Sequence, residues 1–510
     1  MRWIVACFTA VALVGRAEAQ DGPRELLRRA AEAMGGERLT SLAAVRLSGI
    51  GYSNALEQSE RPEGPWLKVF EQFTELRDLR GSRVRRSAQS RSGPWSADWS
   101  PPLVMVADST AALWERGGRR FPGRTADRDA AMEALRLGPE RVLATAAAAP
   151  DLRPLADTTV AGVRNRRVSF SLGALRMELL IDAHTFLPAG YVLRGPSARG
   201  FEWVWGDVTR AVWYSLWSFD PPGIRYPRML VEELNGQPLR EVVLTGVEFD
   251  PAAPSDSFPV TDSLRTMFAA MAARTPDPRS APLGRSFRGE DLAPIEAAPD
   301  VTIFPGPWYV ALVRQPDGVV VIEAPIGSGY SAQVLAEAAR RYPTVGVKAV
   351  VTTSDAWPHF SGLREFVARG VPIHHLDLNR PILERFVAAR WRATPDSLER
   401  ARRPAAWHPV ARRTAIGQGP NRLEVIPVRG EGGERMAVVW LPGHRLLYAS
   451  DLVQRQPDGT FFWPEYLLEV VEVVRREGLN VERVWAMHTD PIPWSDVLSA
   501  VDAVRRPRAP

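Results

Sequence analysis

Cysteine is almost absent from this 510-residue chain, because Cys7 is the only one. Since Cys7 falls in an N-terminal leader-like segment, the mature protein is expected to contain no disulfide and no thiolate metal ligand. The sequence also lacks a GxSxG elbow and a phosphate-binding glycine loop, so serine hydrolase and NTPase chemistry have no motif here. After the leader, no apolar run approaches the about 18 residues that a membrane-spanning helix needs, and no transmembrane anchor is expected.

The sequence also has no segment in which lysine and arginine residues are concentrated. The formal net charge is +5 and the pI is near 9.6, but the arginines that produce this excess are spread along the chain. Nucleic acid is therefore not an expected partner. Hydrophobic residues make up 45% and charged residues 24% of the sequence, which is typical of a soluble globular protein.

The first twenty residues have the pattern of a secretory signal peptide. Arg2 precedes an apolar run that ends near Gly15, and the small residues of Ala17-Glu18-Ala19 form a cleavage site. The run lies mainly after Cys7, the reverse of a lipoprotein signal. We expect residues 1–19 to be removed and the product to be periplasmic or secreted.

The length predicts at least two domains. The pattern of predicted strands and helices changes near residue 300. From about Val301 short apolar strands alternate with amphipathic helices, which is typical of an α/β domain over 300–510. Pro316-Asp317-Gly318 predicts a hairpin turn. Residues 331–342 predict a helix that begins at a Ser331 cap.

The part of the chain before residue 300 has a different secondary-structure pattern. Residues 20–250 contain repeated alternating segments that predict a mainly antiparallel β domain with one covered face. Residues 251–299 are rich in proline and predict a linker, with a short helix over 263–274. The segment around Ile181-Asp182 resembles the hairpins of lipoprotein-carrier half barrels. Four tryptophans in FEWVWGDVTRAVWYSLW, residues 201–217, fit core packing or an apolar ligand site.

The segment TSDAWPHFSG, residues 353–362, follows a strand-like run and precedes a helix-like one. It resembles the THxHxDHxGG signature of the metallo-β-lactamase superfamily. Aligned on His359, the chain has Ser354 and Ala356 in the slots of the two leading histidines and Pro358 in the slot of the aspartate. The resemblance implies a four-layer αββα sandwich.

Two later segments extend the resemblance. LPGHRLLYASD, residues 441–451, is similar to the hairpin that ends in the metal-bridging aspartate, and WAMHTDPIP, residues 485–493, is similar to the segment with the final histidine. Asp451 and His488 take these places, whereas the middle histidine is replaced near Gly432. The resemblance thus implies one metal ion, zinc or alternatively iron, on His359, Asp451 and His488, with Asp451 as the catalytic residue.

Two further carboxylates could orient such a site. Glu323 ends the strand VVVIEAP, where the family usually has an aspartate, and Asp355 lies between the emptied histidine slots. Alternating residues of an extended loop face opposite ways, so Asp355 is expected to point away from those slots.

Two hypotheses for function follow. The first is a mononuclear hydrolase that cleaves an ester, thioester or amide with a metal-bound water. The second is a catalytically inactive protein with this fold, in which the N-terminal domain carries the ligand. The expected partner is accordingly a small-molecule substrate or an apolar ligand.

Overall fold

The structure is a computed structural model that describes residues 22–56, 64–92, 98–197, 202–252, 257–274, 282–286 and 290–505. The expected signal peptide, residues 1–19, lies outside these ranges. Across the ranges that the structure covers, none of the helices combines the length and the apolar character needed to cross a membrane.

The helices fall into two groups, one on each side of residue 300. The first group is α1 (Pro23–Met34), α2 (Glu37–Thr40), α3 (Thr125–Leu137), α4 (Val142–Ala147) and α5 (Asp262–Arg274). The second group is α6 (Ser328–Arg341), α7 (Trp357–Phe360), α8 (Leu363–Arg369), α9 (Arg380–Ala388), α10 (Ser397–Ala401), α11 (Glu465–Arg476) and α12 (Trp494–Arg505). Short 3₁₀ turns occur at Glu202–Trp205, Asp377–Asn379 and Pro442–His444.

The strands before residue 250 form one antiparallel sheet of order β6-β5-β4-β3-β2-β1-β13-β12-β11-β10-β9-β8-β7. The strands are β1 (Ala44–Asn54), β2 (Lys68–Asp78), β3 (Arg83–Ser92), β4 (Leu103–Ala107), β5 (Ala112–Arg116), β6 (Arg119–Pro122), β7 (Arg153–Val160), β8 (Val163–Leu172), β9 (Leu175–Asp182), β10 (Pro188–Pro196), β11 (Asp207–Asp220), β12 (Ile224–Leu234) and β13 (Gln237–Phe249). Strands from β1 to β4 and from β8 to β13 share one apolar core with α1, α3 and α4. The sheet must therefore curve around these helices, and we call this unit the half-barrel.

The remaining strands form two sheets. The first has the order β14 (Ile295–Ala298), β15 (Val301–Phe304), β16 (Val310–Gln315), β17 (Gly318–Ile322), β18 (Val347–Thr352), β19 (Ile373–Leu376), β20 (Trp407–Val410). The second has the order β21 (Thr414–Ile416), β22 (Leu423–Pro427), β23 (Ala437–Leu441), β24 (Leu446–Tyr448), β25 (Arg483–Ala486), β26 (Thr489–Pro493).

Three apolar cores show how these two sheets are layered. One core joins the outer face of the first sheet to α6 through α10, and a second lies between the two sheets. A third joins the outer face of the second sheet to α11 and α12. Every residue of the run Gly318–Ile322 is buried, as expected of a strand covered on both faces. The expected αββα sandwich, preceded by a mainly antiparallel β unit, is confirmed.

Local predictions agree with these elements in most places. The Pro316-Asp317-Gly318 turn joins β16 and β17 in an antiparallel hairpin, and α5 occupies the predicted helical segment. The predicted start of α6 is wrong, because the helix begins at Ser328 and its N-cap is Gly327. Ser331 instead lies fully buried within the helix. The stretch expected to be a linker also contains β14, which pairs with β15.

The half-barrel contacts the sandwich through two of the clustered tryptophans. Trp203 lies edge-to-face on Trp357 of α7 with ring centroids 5.9 Å apart, and Trp205 lies 5.9 Å from Phe386 of α9. Trp308 covers Trp357 at 4.8 Å. The signature-like segment is therefore part of the contact between the half-barrel and the sandwich.

We predict that Trp203→Ala lowers the free energy of unfolding by about 3–5 kcal/mol, because it removes a buried indole from this contact. Chemical denaturation followed by fluorescence would measure the loss. Trp99, which is 40% exposed, provides the matched control, and Trp99→Ala should change stability by no more than about 0.5 kcal/mol. Equal effects of the two substitutions would contradict the proposed contact.

Candidate functional site

Parallel strand pairs bring the predicted residues to one edge of the sandwich. Glu323 follows β17, and the neighbouring parallel strand β18 leads to the segment with His359. In the second sheet, β24 and β25 are parallel and are followed by Asp451 and His488. Because the carboxyl ends of parallel strands lie at the same edge of their sheet, these side chains come together.

His359 is the centre of this cluster and has no solvent exposure. Its Nε2 atom forms a 2.8 Å hydrogen bond with Asp451 Oδ2, and its Nδ1 atom lies 3.1 Å from Glu323 Oε1. The Thr353 hydroxyl donates to the same Glu323 oxygen and lies 2.8 Å from the Ser450 hydroxyl. His359 is thus clamped between two carboxylates.

The carboxylates of Glu323 and Asp451 determine the protonation state of the His359 imidazole. Burial alone lowers the pKa of His359, but the negative charges of Glu323 and Asp451 outweigh it and raise the pKa from 6.5 to about 10. Burial similarly opposes the charge on Asp451, yet His359 holds the pKa of this carboxyl below its ordinary value. At neutral pH the arrangement is an imidazolium between carboxylates.

His488 stands on the outer side of Asp451, where its side chain is 36% exposed. Its Nε2 atom lies 3.6 Å from Asp451 Oδ1, and a hydrogen bond to the Pro307 carbonyl orients the ring. Burial lowers the pKa of His488 more than Asp451 raises it. His488 is therefore a largely neutral imidazole at neutral pH.

The arrangement does not fit the metal-ligand set that the resemblance implies. The Nε2 atom of His359 is occupied by its hydrogen bond to Asp451, and Nδ1 faces Glu323, so a metal ion could bind Nε2 only if the bond to Asp451 opened. Two ligands of a tetrahedral zinc lie roughly 3.3 Å apart for bonds of about 2.0 Å, and the 2.8 Å between His359 and Asp451 is a direct hydrogen bond instead. Within the described ranges, no three His, Cys, Asp or Glu side chains are grouped to hold a metal ion.

The residues at the positions of the missing ligands have other structural roles, or lie where a neighbouring side chain leaves no room for a ligand. Pro358 lies inside the short helix α7, and Ser354 is fully buried with its hydroxyl bonded to the Ala356 N–H. At Gly432 an added Cβ would lie 2.3 Å from the Tyr466 ring. A histidine at that position would require Tyr466 to move.

Asp355 is buried, and its carboxylate lies 3.8 Å from Arg435 Nε. It therefore faces a cation of the segment that precedes β23. Glu323 contacts His359 through its Oε1 atom.

Two residues of the cluster have unusual backbone conformations. Glu323 has φ +72° and Ser450 has φ +52°, a region that costs a non-glycine residue about 1–3 kcal/mol. Glu323 directly follows β17, and Ser450 lies two residues after the end of β24, immediately before Asp451. The sandwich therefore holds the cluster against a local energetic cost.

The sequence interpretation missed a second group of residues, inside the half-barrel. Glu71, Phe73, Glu75 and Arg77 alternate along β2 and line a cavity of about 380 Å³. The opposite face of β2 also carries polar residues, and charges that alternate along such a strand usually indicate exposure to solvent. The sequence pattern alone therefore does not reveal the cavity. Trp203 and Trp205 lie outside it, at the contact with the sandwich.

The sequence matches no protein-family model and no curated protein. Among solved structures, the chain is similar to a metallo-β-lactamase from Pontibacter korlensis, with 16% identity, a TM-score of 0.33, and coverage of 42% of this chain and 99% of that one. A second is the metallo-β-lactamase FIM-1 from Pseudomonas aeruginosa in the mono-zinc form, with 10% identity, a TM-score of 0.33, and coverage of 44% and 95%. A third is the DIM-1 metallo-β-lactamase, with 10% identity, a TM-score of 0.33, and coverage of 41% and 95%.

The charge on His359 predicts how stability depends on pH. Because folding raises the pKa from 6.5 to about 10, the stabilisation is complete below about pH 6.5 and is lost as the pH rises through 10. His359→Gln should cost about 3–5 kcal/mol at neutral pH, since it leaves two buried carboxylates without a cation. Denaturant titrations should show that the loss in free energy of unfolding caused by His359→Gln becomes smaller between pH 8 and pH 11.

The exposed His184 serves as the control for this prediction. His184→Gln should leave the stability curve parallel to that of the wild type throughout this pH range. A cost of His359→Gln that stays constant from pH 7 to pH 11 would show that His359 is neutral in the folded protein.

Proposed function

We propose that this chain is a catalytically inactive, ligand-binding protein that keeps the αββα fold without its metal chemistry. The observation that carries the proposal is the position of His359, whose two ring nitrogens face Glu323 and Asp451. A positively charged histidine beside these carboxylates offsets part of their negative charge without a metal ion. It stabilises the fold and leaves no Lewis acid for hydrolysis.

The packing around this histidine supports the same proposal. Trp203 of the half-barrel and Trp308 both lie on Trp357, two residues before His359. His359 itself has no exposed surface. A segment that would surround a substrate in a hydrolase here binds the neighbouring unit, so we assign the sandwich a structural role.

Ligand binding is then assigned to the half-barrel. Its cavity of about 380 Å³ is within the size range of small-molecule sites, about 300–1,000 Å³. Export through the N-terminal leader would place this cavity in the periplasm or outside the cell, where a soluble binding protein meets small molecules.

A second candidate function is the hydrolase that acts on an ester, thioester or amide. Asp451 Oδ1 favours it, because this buried oxygen has no hydrogen-bond partner among the described residues and faces the partly exposed His488. The strained backbone at Glu323 and Ser450 is also typical of catalytic sites.

Metal content separates the two candidates. We predict that mature protein purified without chelators or affinity metals contains far less than one zinc or iron per chain. A chelator should leave its melting temperature unchanged, because His359 rather than a metal neutralises the cluster. Elemental analysis and thermal unfolding would measure both quantities, together with a screen of aryl ester and thioester hydrolysis.

The variant His488→Ala and its control His184→Ala complete the test. The binding-protein proposal predicts that neither substitution changes metal content or hydrolysis. Close to one metal ion per chain, lost with hydrolytic activity in His488→Ala but not in His184→Ala, would establish the hydrolase and overturn our proposal.

A further inference from the structure

The cavity of the half-barrel has charged walls of both signs. It is lined by α3, the strands β2 to β4, and the strands β10 to β13 together with β1. Four arginines and four glutamates contribute to its lining: Arg77, Arg86, Arg210, Arg240, Glu71, Glu75, Glu133 and Glu232. The lining therefore has no net formal charge.

The charges alternate around the wall instead of forming separate patches. Glu71 accepts from Arg86 at 2.7 Å and from Arg240 at 2.6 Å, and Arg240 also donates to Glu232 at 2.8 Å. Arg86 in addition donates to Glu75 at 2.9 Å. The chain Glu75, Arg86, Glu71, Arg240, Glu232 is thus a continuous belt of ion pairs across β2, β3, β12 and β13.

Further ion pairs, a hydrogen bond and an aromatic contact hold the side chains of the belt in place. Arg77 bridges Glu75 at 2.7 Å and the fully buried Glu140 at 2.9 Å, and Tyr226 donates to Glu140 at 2.7 Å. The Arg86 guanidinium also lies over the Phe73 ring, 3.9 Å from its centroid. These contacts fix the rotamers of the charged groups before any ligand arrives, which reduces the entropy cost of binding.

Such walls disfavour two classes of ligand. An apolar chain would remove water from eight charged groups and offer no hydrogen bond in return. A simple anion would gain from the arginines but would lie equally close to glutamates, whose repulsion cancels the gain. An apolar ligand, one of the partners expected from the tryptophan cluster, is therefore not favoured here.

We propose that this cavity binds a small zwitterion of the amino-acid and short-peptide class, with a free ammonium group and a free carboxylate. The carboxylate would be bound by those of the five N–H donors of Arg86 and Arg240 that their pairs with glutamates leave free, and the ammonium group of the same ligand would offset the repulsion by the glutamates. The ammonium group would be bound by Glu71 or Glu232.

The remaining lining completes the fit to this class. Leu47, Val84, Met105 and Leu230 offer apolar surface beside the belt, where an aliphatic side chain of the ligand would be buried. A smaller cavity of about 90 Å³ shares Ala130, Glu133 and Arg210 with the main one and extends the charged lining beyond α3. This inference rests on the proposed ligand-binding function and names its ligand.

Isothermal titration calorimetry of the full mature chain tests the inference with four probes: the dipeptide Leu-Leu, its N-acetyl derivative, its C-terminal amide, and decanoate. We expect Leu-Leu to bind at least tenfold more tightly than either singly charged derivative. Decanoate, which has the apolar chain and the carboxylate but no ammonium group, should not bind measurably.

Variants locate the binding site. Arg240→Gln and Glu71→Gln should each weaken Leu-Leu binding by at least tenfold, because each removes one charge of the belt. Arg164, which is 67% exposed and pairs with Asp157 on the outer strands, gives the control Arg164→Gln, with no expected change. Circular dichroism would verify that the variants fold, and Arg240, whose side chain is 26% exposed, keeps the test valid should Glu71→Gln unfold.

The outcomes separate this inference from the function on which it rests. Equal binding of Leu-Leu and its capped derivatives, or tighter binding of decanoate, would overturn the zwitterion but leave a ligand-binding protein. Absence of binding by all four probes would also overturn the zwitterion. Metal-dependent hydrolysis would overturn the proposed function itself, independently of the calorimetry.

Discussion

The pairing of His359 with Glu323 and Asp451 is the interaction on which the rest of the sandwich edge depends. Two carboxylates brought together by strand ends in a dry interior repel each other and require a cation between them. Either a metal ion or an imidazolium can supply this cation, although a divalent metal carries twice the charge of an imidazolium. In this chain the cation is a side chain, and the Thr353 hydroxyl, which also bonds Ser450, holds Glu323 beside it.

A histidine in this role changes what the neighbouring segments are free to do. Without ligands to present, the segment after β18 folds into the short helix α7 and offers Trp357 to Trp203 of the half-barrel. The half-barrel in turn has a belt of ion pairs along the wall of its cavity. Under the proposed function, the sandwich supports the structure and the half-barrel provides the cavity for the ligand.

Sequence periodicity predicted the α/β domain and the antiparallel sheet because both depend on local patterns of burial, whereas the αββα layering was implied by the family resemblance. The register that brings Glu323 beside His359 depends on parallel pairing between strands far apart in sequence, and only the family resemblance suggested it. Resemblance could not reveal that Tyr466 fills the space beside Gly432. The cavity of the half-barrel was missed because its Glu-x-Phe-x-Glu-x-Arg alternation on β2 looks like a solvated strand until the curvature of the sheet is known.

The most direct test of the account is the protonation state of His359 in the folded protein. Nitrogen-15 NMR of ring-labelled histidine at pH 8, assigned with His359→Gln, reports whether each ring nitrogen carries a proton. We predict that both nitrogens of His359 are protonated and that added zinc leaves their signals unchanged. A ring with one unprotonated nitrogen, whose signal shifts when zinc is added, would contradict the account and restore a metal site.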